Sequence, residues 1–360
     1  MILASNCACQ TGRRPTWQRE MAEAVTSPRE LIEALGLDPG LAAAAETATG
    51  GFRLRVPWSF VRRMRPGDPD DPLLLQVLPR EAERSAPDGF LADPLAEQAA
   101  LAAPGLLRKY RGRALLVTTP ACAVHCRYCF RREFPYAEQA PAGRWREAIA
   151  AVARDASIEE LILSGGDPLS LGNDRLAALT RTLASVPHLR RLRVHTRLPI
   201  VLPSRVDAGL EAWLARSPWS VVVVLHANHP NEIDAEVREA CARMRAAGAT
   251  LLNQSVLLRG VNDEAAVLAE LSERLFASGV LPYYLHVLDR VRGAAHFEVA
   301  EGRARRIAGE LAAMLPGYLV PRLVREQAGA PAKTPLAPRF SSKGARRMRA
   351  PARGGRRARC

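Results

Sequence analysis

Three cysteines, Cys122, Cys126 and Cys129, fall in the run CAVHCRYCF with C-x3-C-x2-C spacing. Thiolates are the usual protein ligands of iron–sulfur clusters, and four of them make the usual closed set. Three on one short loop hold three irons of a cubane and leave the fourth without a protein ligand. An open iron can chelate the amino and carboxylate groups of S-adenosylmethionine, so the spacing predicts a [4Fe–4S] cluster with that molecule on it. Tyr128, just before the last cysteine, would lie beside the adenine. Two other readings remain at this point, a zinc site and buried free thiols. Zinc would want a fourth Cys or His and commonly shows paired C-x2-4-C spacing. His125 reads as a spacer inside the loop.

Two further stretches could do chemistry. Ser164-Gly165-Gly166-Asp167-Pro168 follows an apolar run, and adjacent glycines let backbone groups come close to a ligand with no Cβ in the way. That suits the amino group of S-adenosylmethionine, with Asp167 adding charge or capping the next helix. Lys333 lies in AGAPAKTPL, a loop of small residues bounded by prolines. A flexible amine there could form a Schiff base with pyridoxal phosphate. Read alone, it is an ordinary solvated lysine.

Those residues need a scaffold. Apolar, β-branched runs at 114–119, 160–165, 191–196, 220–226, 250–256 and 281–287 predict six strands. Helical patterns near 143–154, 173–185, 205–216, 232–247, 262–278 and 300–314 follow them. Such alternation predicts parallel βαβ units. Six of them make an α/β fold, a partial (β/α)6 TIM-like barrel with its site at the C-terminal strand ends. The cysteine loop follows the first strand, as that geometry requires. Residues 1–110 read as a helical N-terminal region, with segments WQREMAEAV, PRELIEALGL and AEQAALAA. The barrel spans 111–315, a lysine-bearing segment 316–338, and a basic tail 339–360.

The net charge is +14, and nine basic residues with no acidic ones between Arg339 and Arg359 leave about +5 for the rest. The tail has no apolar periodicity and reads as disordered. It either touches RNA, a ribosome or an acidic protein, or is an accessory of an arginine-rich chain. Nucleic-acid binding is therefore not expected outside it. No run of eighteen uncharged apolar residues predicts a membrane span, and no secretory signal is evident. Seven cysteines, an odd number, do not form a secreted disulfide framework. The expected location is cytoplasmic.

The chain resembles the lysine 2,3-aminomutase family of radical SAM enzymes, and within it the branch that supplies (R)-β-lysine for elongation factor P (EF-P). The likeness runs in order through RVPWSFVRRMRPGDPDDPLLLQVLP, PGLLRKYRGRALLV, CAVHCRYCFRREFPYAE, SGGDPL, RLPIVLPSRV, NHPNEID, TLLNQSVLLRGVND, PYYLHVLDRVRGAAHF and GYLVPRLVREQAGAPAKTPL, most of residues 50–338. It implies a radical SAM core and a C-terminal pyridoxal phosphate segment. It also implies roles. Cys122, Cys126 and Cys129 would hold the cluster, and Gly165, Gly166, Asp167, His226 and Gln254 would contact S-adenosylmethionine. Lys333 would carry pyridoxal phosphate, with Lys109, Tyr110, Arg113 and Arg197 around that cofactor and its phosphate. Arg131 would grip the substrate carboxylate, while Asp289 and Glu326 would hold the distal ammonium of lysine. An unidentified electron donor, an EF-P ligase and EF-P itself are the implied partners.

Three departures stand out. Glu326 replaces an aspartate of the free-lysine enzymes, so charge is kept and reach is longer. His286 stands where those enzymes carry a tyrosine near the cofactor. Glu264 occupies an interior zinc-ligand position of the larger relatives, and only Cys360 remains in the tail, so zinc is not expected. The oligomer should be less extensive than theirs. An aminomutase acting on another amino acid, such as glutamate, is the competing expectation. Cys7, Cys9 and Cys241 read as free or buried thiols, and His188 and His296 have no motif partner.

Overall fold

The computed structural model describes residues 16–85, 87–139 and 145–340. One ten-stranded sheet organises them, in linear order β1 (Leu101–Ala103), β2 (Leu106–Tyr110), β3 (Arg113–Thr119), β4 (Glu160–Gly165), β5 (Arg191–Thr196), β6 (Ser220–Leu225), β7 (Thr250–Val256), β8 (Leu281–His286), β9 (Arg322–Arg325) and β10 (Thr334–Pro335). From β3 to β9 every neighbouring pair is parallel. β1–β2–β3 and β9–β10 are antiparallel margins. The two ends of the sheet do not pair, so the barrel is partial, as expected.

The six strands read from the sequence are β3 to β8, each matching within about a residue at either end. β9 is a seventh parallel strand that the reading missed. It is only four residues, RLVR, with two buried apolar side chains, too short for a periodic signal. The helix expected over AEQAALAA is instead a short 3-10 turn, Gln98–Ala100, running into β1. Alanine favours helix intrinsically. Here Pro104 and Gly105 (φ 73°) form the tight turn that folds Leu101 onto Leu107, and strand pairing wins.

Side chains alternate across each strand. Leu161, Leu163, Leu192, Val194, Val221, Val223, Leu225 and Leu251 join the main apolar core under the helices. Ser164, His195, Gln254, Tyr284 and His286 therefore share the opposite, inner face. The core is continuous with N-terminal residues such as Trp17, Leu31, Phe60 and Leu74, so residues 16–80 pack on the barrel wall. The sheet margins meet through an ion pair: Lys109 Nζ donates to Glu326 Oε1 at 3.0 Å.

The segment after Lys333 is strapped down. Leu336 is buried and its N–H reaches Leu323 O at 2.9 Å, while Arg339 N–H reaches Arg305 O at 2.7 Å. The strap crosses the helix Glu301–Met314 at Gly309, where a Cβ would run into the Arg339 backbone. The basic tail lies beyond the described residues except for Arg339 and Phe340. No helix among the described residues is long and apolar enough to cross a membrane.

Candidate active site

The cysteine loop leaves the C-terminal end of β3 and is pinned from outside. His125 N–H donates to Arg55 O and Arg127 N–H to Gln76 O, each at 2.9 Å. Arg127 is fully buried. Its Nε and Nη2 donate to the two oxygens of Glu83 at 2.7 and 2.5 Å, and Nη1 donates to Phe52 O at 2.6 Å. Arg132 adds a 2.8 Å bond to the same carboxylate. Removing one member of a buried pair leaves an uncompensated charge, which costs about 3–5 kcal/mol. Glu83→Ala should lose about that much stability in urea denaturation. A variant as stable as wild type would mean that water solvates Arg127.

Cys122, Cys126 and Cys129 are free and partly exposed on this loop. Among the described residues no group of three or more His, Cys, Asp or Glu side chains is set to hold a single metal ion. In a cubane each thiolate binds a different iron, and three cysteines on one loop fit that donor set. Burial pushes the Cys122 thiol well up and that of Cys129 to about 11. Cys126 Sγ accepts a 2.8 Å bond from Arg197 Nη1. The same guanidinium bonds Tyr128, Gln76 (2.7 Å) and Glu232 (2.9 Å). Arg197 thus sits against the cysteine loop, and its hydrogen bonds do not reach Lys333.

The glycines of the Ser164–Pro168 turn have a visible reason. Gly165 has φ 130°, and a Cβ on it would lie 2.6 Å from Thr119 O. Gly166 N–H donates to Thr119 O at 2.7 Å and Asp167 N–H to Ala121 O at 2.8 Å. The turn is stitched to the backbone just ahead of Cys122. Asp167 is a double cap. Its carboxylate accepts from Leu169 N, Thr196 Oγ1, Arg197 N and Leu198 N at 3.0, 2.7, 2.7 and 3.1 Å, which fills its lone pairs. Burial still pushes its pKa up to about 6.

A second group gathers beside the turn. Arg131 Nε and Nη2 clasp Glu97 at 2.6 and 2.9 Å. Glu97 Oε1 also takes Lys109 Nζ at 2.9 Å; Lys109 bonds Glu326, and Lys333 Nζ donates to Glu326 Oε2 at 2.6 Å. Arg131, Glu97, Lys109, Glu326 and Lys333 form one unbroken chain of charges. Burial raises the pKa of Glu326, but the cations of Lys333 and Lys109 override it and hold the carboxylate well below its usual range. Asp289 is the reverse case. Burial, then repulsion from Glu326, push its pKa up to about 7.

Several buried polar atoms here find no partner in the protein: Tyr110 Oη, His195 Nε2, His226 Nε2 and His286 Nε2. Burial lowers all three imidazole pKa values, that of His226 to about 3, so the rings are neutral. Arg113 covers the Tyr110 ring at 4.7 Å, and Lys333 Nζ lies 5.7 Å from the Tyr284 ring. Unpartnered polar atoms, the amine of Lys333 and the cations of Lys109 and Arg113 fit an anionic pyridoxal phosphate. Neutral His226 and the glycine turn fit S-adenosylmethionine.

Comparison with known proteins agrees with this geometry. Residues 116–271 match the radical SAM superfamily. The chain is 51% identical over 328 residues to the L-lysine 2,3-aminomutase of Escherichia coli, covering 91% of this chain and 96% of that one. This chain belongs to the lysine 2,3-aminomutase family. The Haemophilus influenzae L-lysine 2,3-aminomutase is 46% identical, with coverage of 88% and 94%. That of Clostridium subterminale is 32% identical, with coverage of 90% and 78%. Aminomutases of this family are isomerases that use radical SAM chemistry.

Sequence reasoning missed Glu97, the hub of the charge chain. Its run reads as alanine-rich helix, and nothing in the spacing connects it to Arg131. It also passed over His195 and Tyr284, although both face inward by strand alternation, which a count of inward positions on β5 and β8 would have revealed.

Proposed function

We propose that this protein is a radical SAM, pyridoxal phosphate-dependent lysine 2,3-aminomutase that converts L-α-lysine to (R)-β-lysine for modification of EF-P. The observation that carries the reading is the charge chain. It runs from Arg131 at one end to Glu326 and Lys333 at the other, and Asp289 lies near enough to feel the charges of both. When bound, the cluster with S-adenosylmethionine supplies a hydrogen-abstracting radical, and pyridoxal phosphate supplies delocalisation for the migrating nitrogen.

The residues of the chain do the positioning. Cys122, Cys126 and Cys129 hold the cluster. Gly165, Gly166, His226 and Gln254 line the S-adenosylmethionine side, and Asp167 fixes the two turns they depend on. Lys333 bears pyridoxal phosphate, with Lys109, Tyr110, Arg113 and neutral His286 around it. Arg131 takes the substrate carboxylate, since a planar guanidinium suits bidentate binding. Asp289 and Glu326 take the distal ammonium. Two fixed ends present one C–H bond to the radical, which is where orientation lowers the barrier. Glutamate, whose side chain is an anion, would bring a third carboxylate against Asp289 and Glu326.

Asp289 gives a pH signature. Below about pH 7 it is largely protonated and neutral. An ammonium favours its ionised form, so lysine binding expels a proton there. Affinity should rise with pH up to about 7, by up to tenfold per unit, and then level off. Binding titrations between pH 6 and 8 test this, and Asp289→Asn should flatten the profile.

The EF-P assignment, the cytoplasmic location and the use of a separate electron donor follow the sequence resemblance. Anaerobic incubation of reconstituted protein with L-lysine, S-adenosylmethionine and a reductant, followed by chiral analysis, should yield (R)-β-lysine. Formation of β-glutamate from glutamate, with lysine untouched, would overturn the substrate.

A further inference from the structure

Arg131 has five N–H donors. Nε and Nη2 each give one to Glu97, and Nη1 gives one to Ser164 Oγ at 2.9 Å and reaches Gly165 O at 3.5 Å. Nη2 keeps one N–H with no partner among the described residues, and the long Gly165 contact is the one that a carboxylate at the end of the fork would displace. Glu97 is itself held. It is buried, its N–H donates to Asp93 Oδ1 at 2.9 Å, and the next N–H, of Gln98, donates to Asp93 Oδ2 at 3.1 Å. Its second duty is Lys109, at 2.9 Å, which leads on to Glu326 and Lys333. Glu97 lies outside the stretch 116–271 that matches the radical SAM superfamily.

We propose that Glu97 is the positioning residue for carboxylate recognition: it occupies one edge of the Arg131 guanidinium so that only the fork end meets the α-carboxylate of the substrate. The proposal rests on the reading of Arg131 as the carboxylate ligand. Glu97 touches no reacting atom.

The test compares L-lysine with 1,5-diaminopentane, which keeps both amines and lacks the carboxylate. Binding to pyridoxal phosphate-loaded, S-adenosylmethionine-free protein is read from the visible absorption of the cofactor, not from turnover. Glu97→Gln should weaken lysine by about tenfold or more while leaving diaminopentane within about twofold, because only lysine uses the guanidinium. Glu97→Asp keeps the charge but draws it back by a methylene. It should show the same selective loss to a smaller degree, and it carries the test if the glutamine variant does not fold. Equal weakening of both ligands, or of neither, overturns the proposal. Wild-type protein that binds diaminopentane as tightly as lysine would instead sink the Arg131 reading, and this proposal with it.

Discussion

Lys333→Ala is expected to lower aminomutase turnover by at least about 10³-fold while leaving bound iron unchanged, because it removes the cofactor amine and not the cluster. The chain makes this test unusually clean. Among 51 Lys and Arg residues only three are lysines: Lys109, Lys333 and Lys343. An arginine serves any purely electrostatic role and cannot form a Schiff base. Borohydride reduction of the loaded wild type, followed by peptide mass analysis, should place the pyridoxyl adduct on Lys333. Lys109 is the informative alternative, since both amines bond Glu326, at 3.0 and 2.6 Å. An adduct on Lys109, or full activity in Lys333→Ala, would reverse the roles of the two.

Replacing any one of the three loop cysteines should be as severe. Cys122→Ala, Cys126→Ala and Cys129→Ala should each bring iron per chain close to background and turnover below detection, because a cubane held by two thiolates has two open corners. Cys241→Ala is the control. Cys241 is buried in the apolar core, on the helix Ala235–Ala246, and should retain full iron. Full iron in the loop variants would move the cluster elsewhere. The Arg197 bond to Cys126 suggests one gradation: losing Cys126 also removes one of the four hydrogen-bond partners of a buried guanidinium, so that variant should be the least stable of the three, by a small margin.

Most of the barrel was legible because its strands are short apolar or alternating segments set at regular intervals between amphipathic helices. What was not legible has a physical cause in each case. β9 is too short to carry a period, and its register comes from pairing with β8, a tertiary effect. The β1–β2 hairpin overrides the helix preference of its alanines through a single Pro-Gly turn. In the site, the cysteines and the glycine turn are local patterns, so spacing exposes them. Two links of the charge chain, Arg131 to Glu97 and Lys109 to Glu326, join residues 34 and 217 positions apart, and no local pattern encodes them. Asp167 is instructive. As a residue type in a turn it suits a ligand or a cap, and only its four internal hydrogen bonds decide for the cap.

The crossing of residues 334–340 over Gly309 bears on protein engineering. A domain, tag or surface anchor joined beyond Phe340 would transmit its tug to the contact between Arg339 and the helix Glu301–Met314 before any of it reached Lys333. Immobilisation through that end should therefore leave the catalytic interior mechanically quiet.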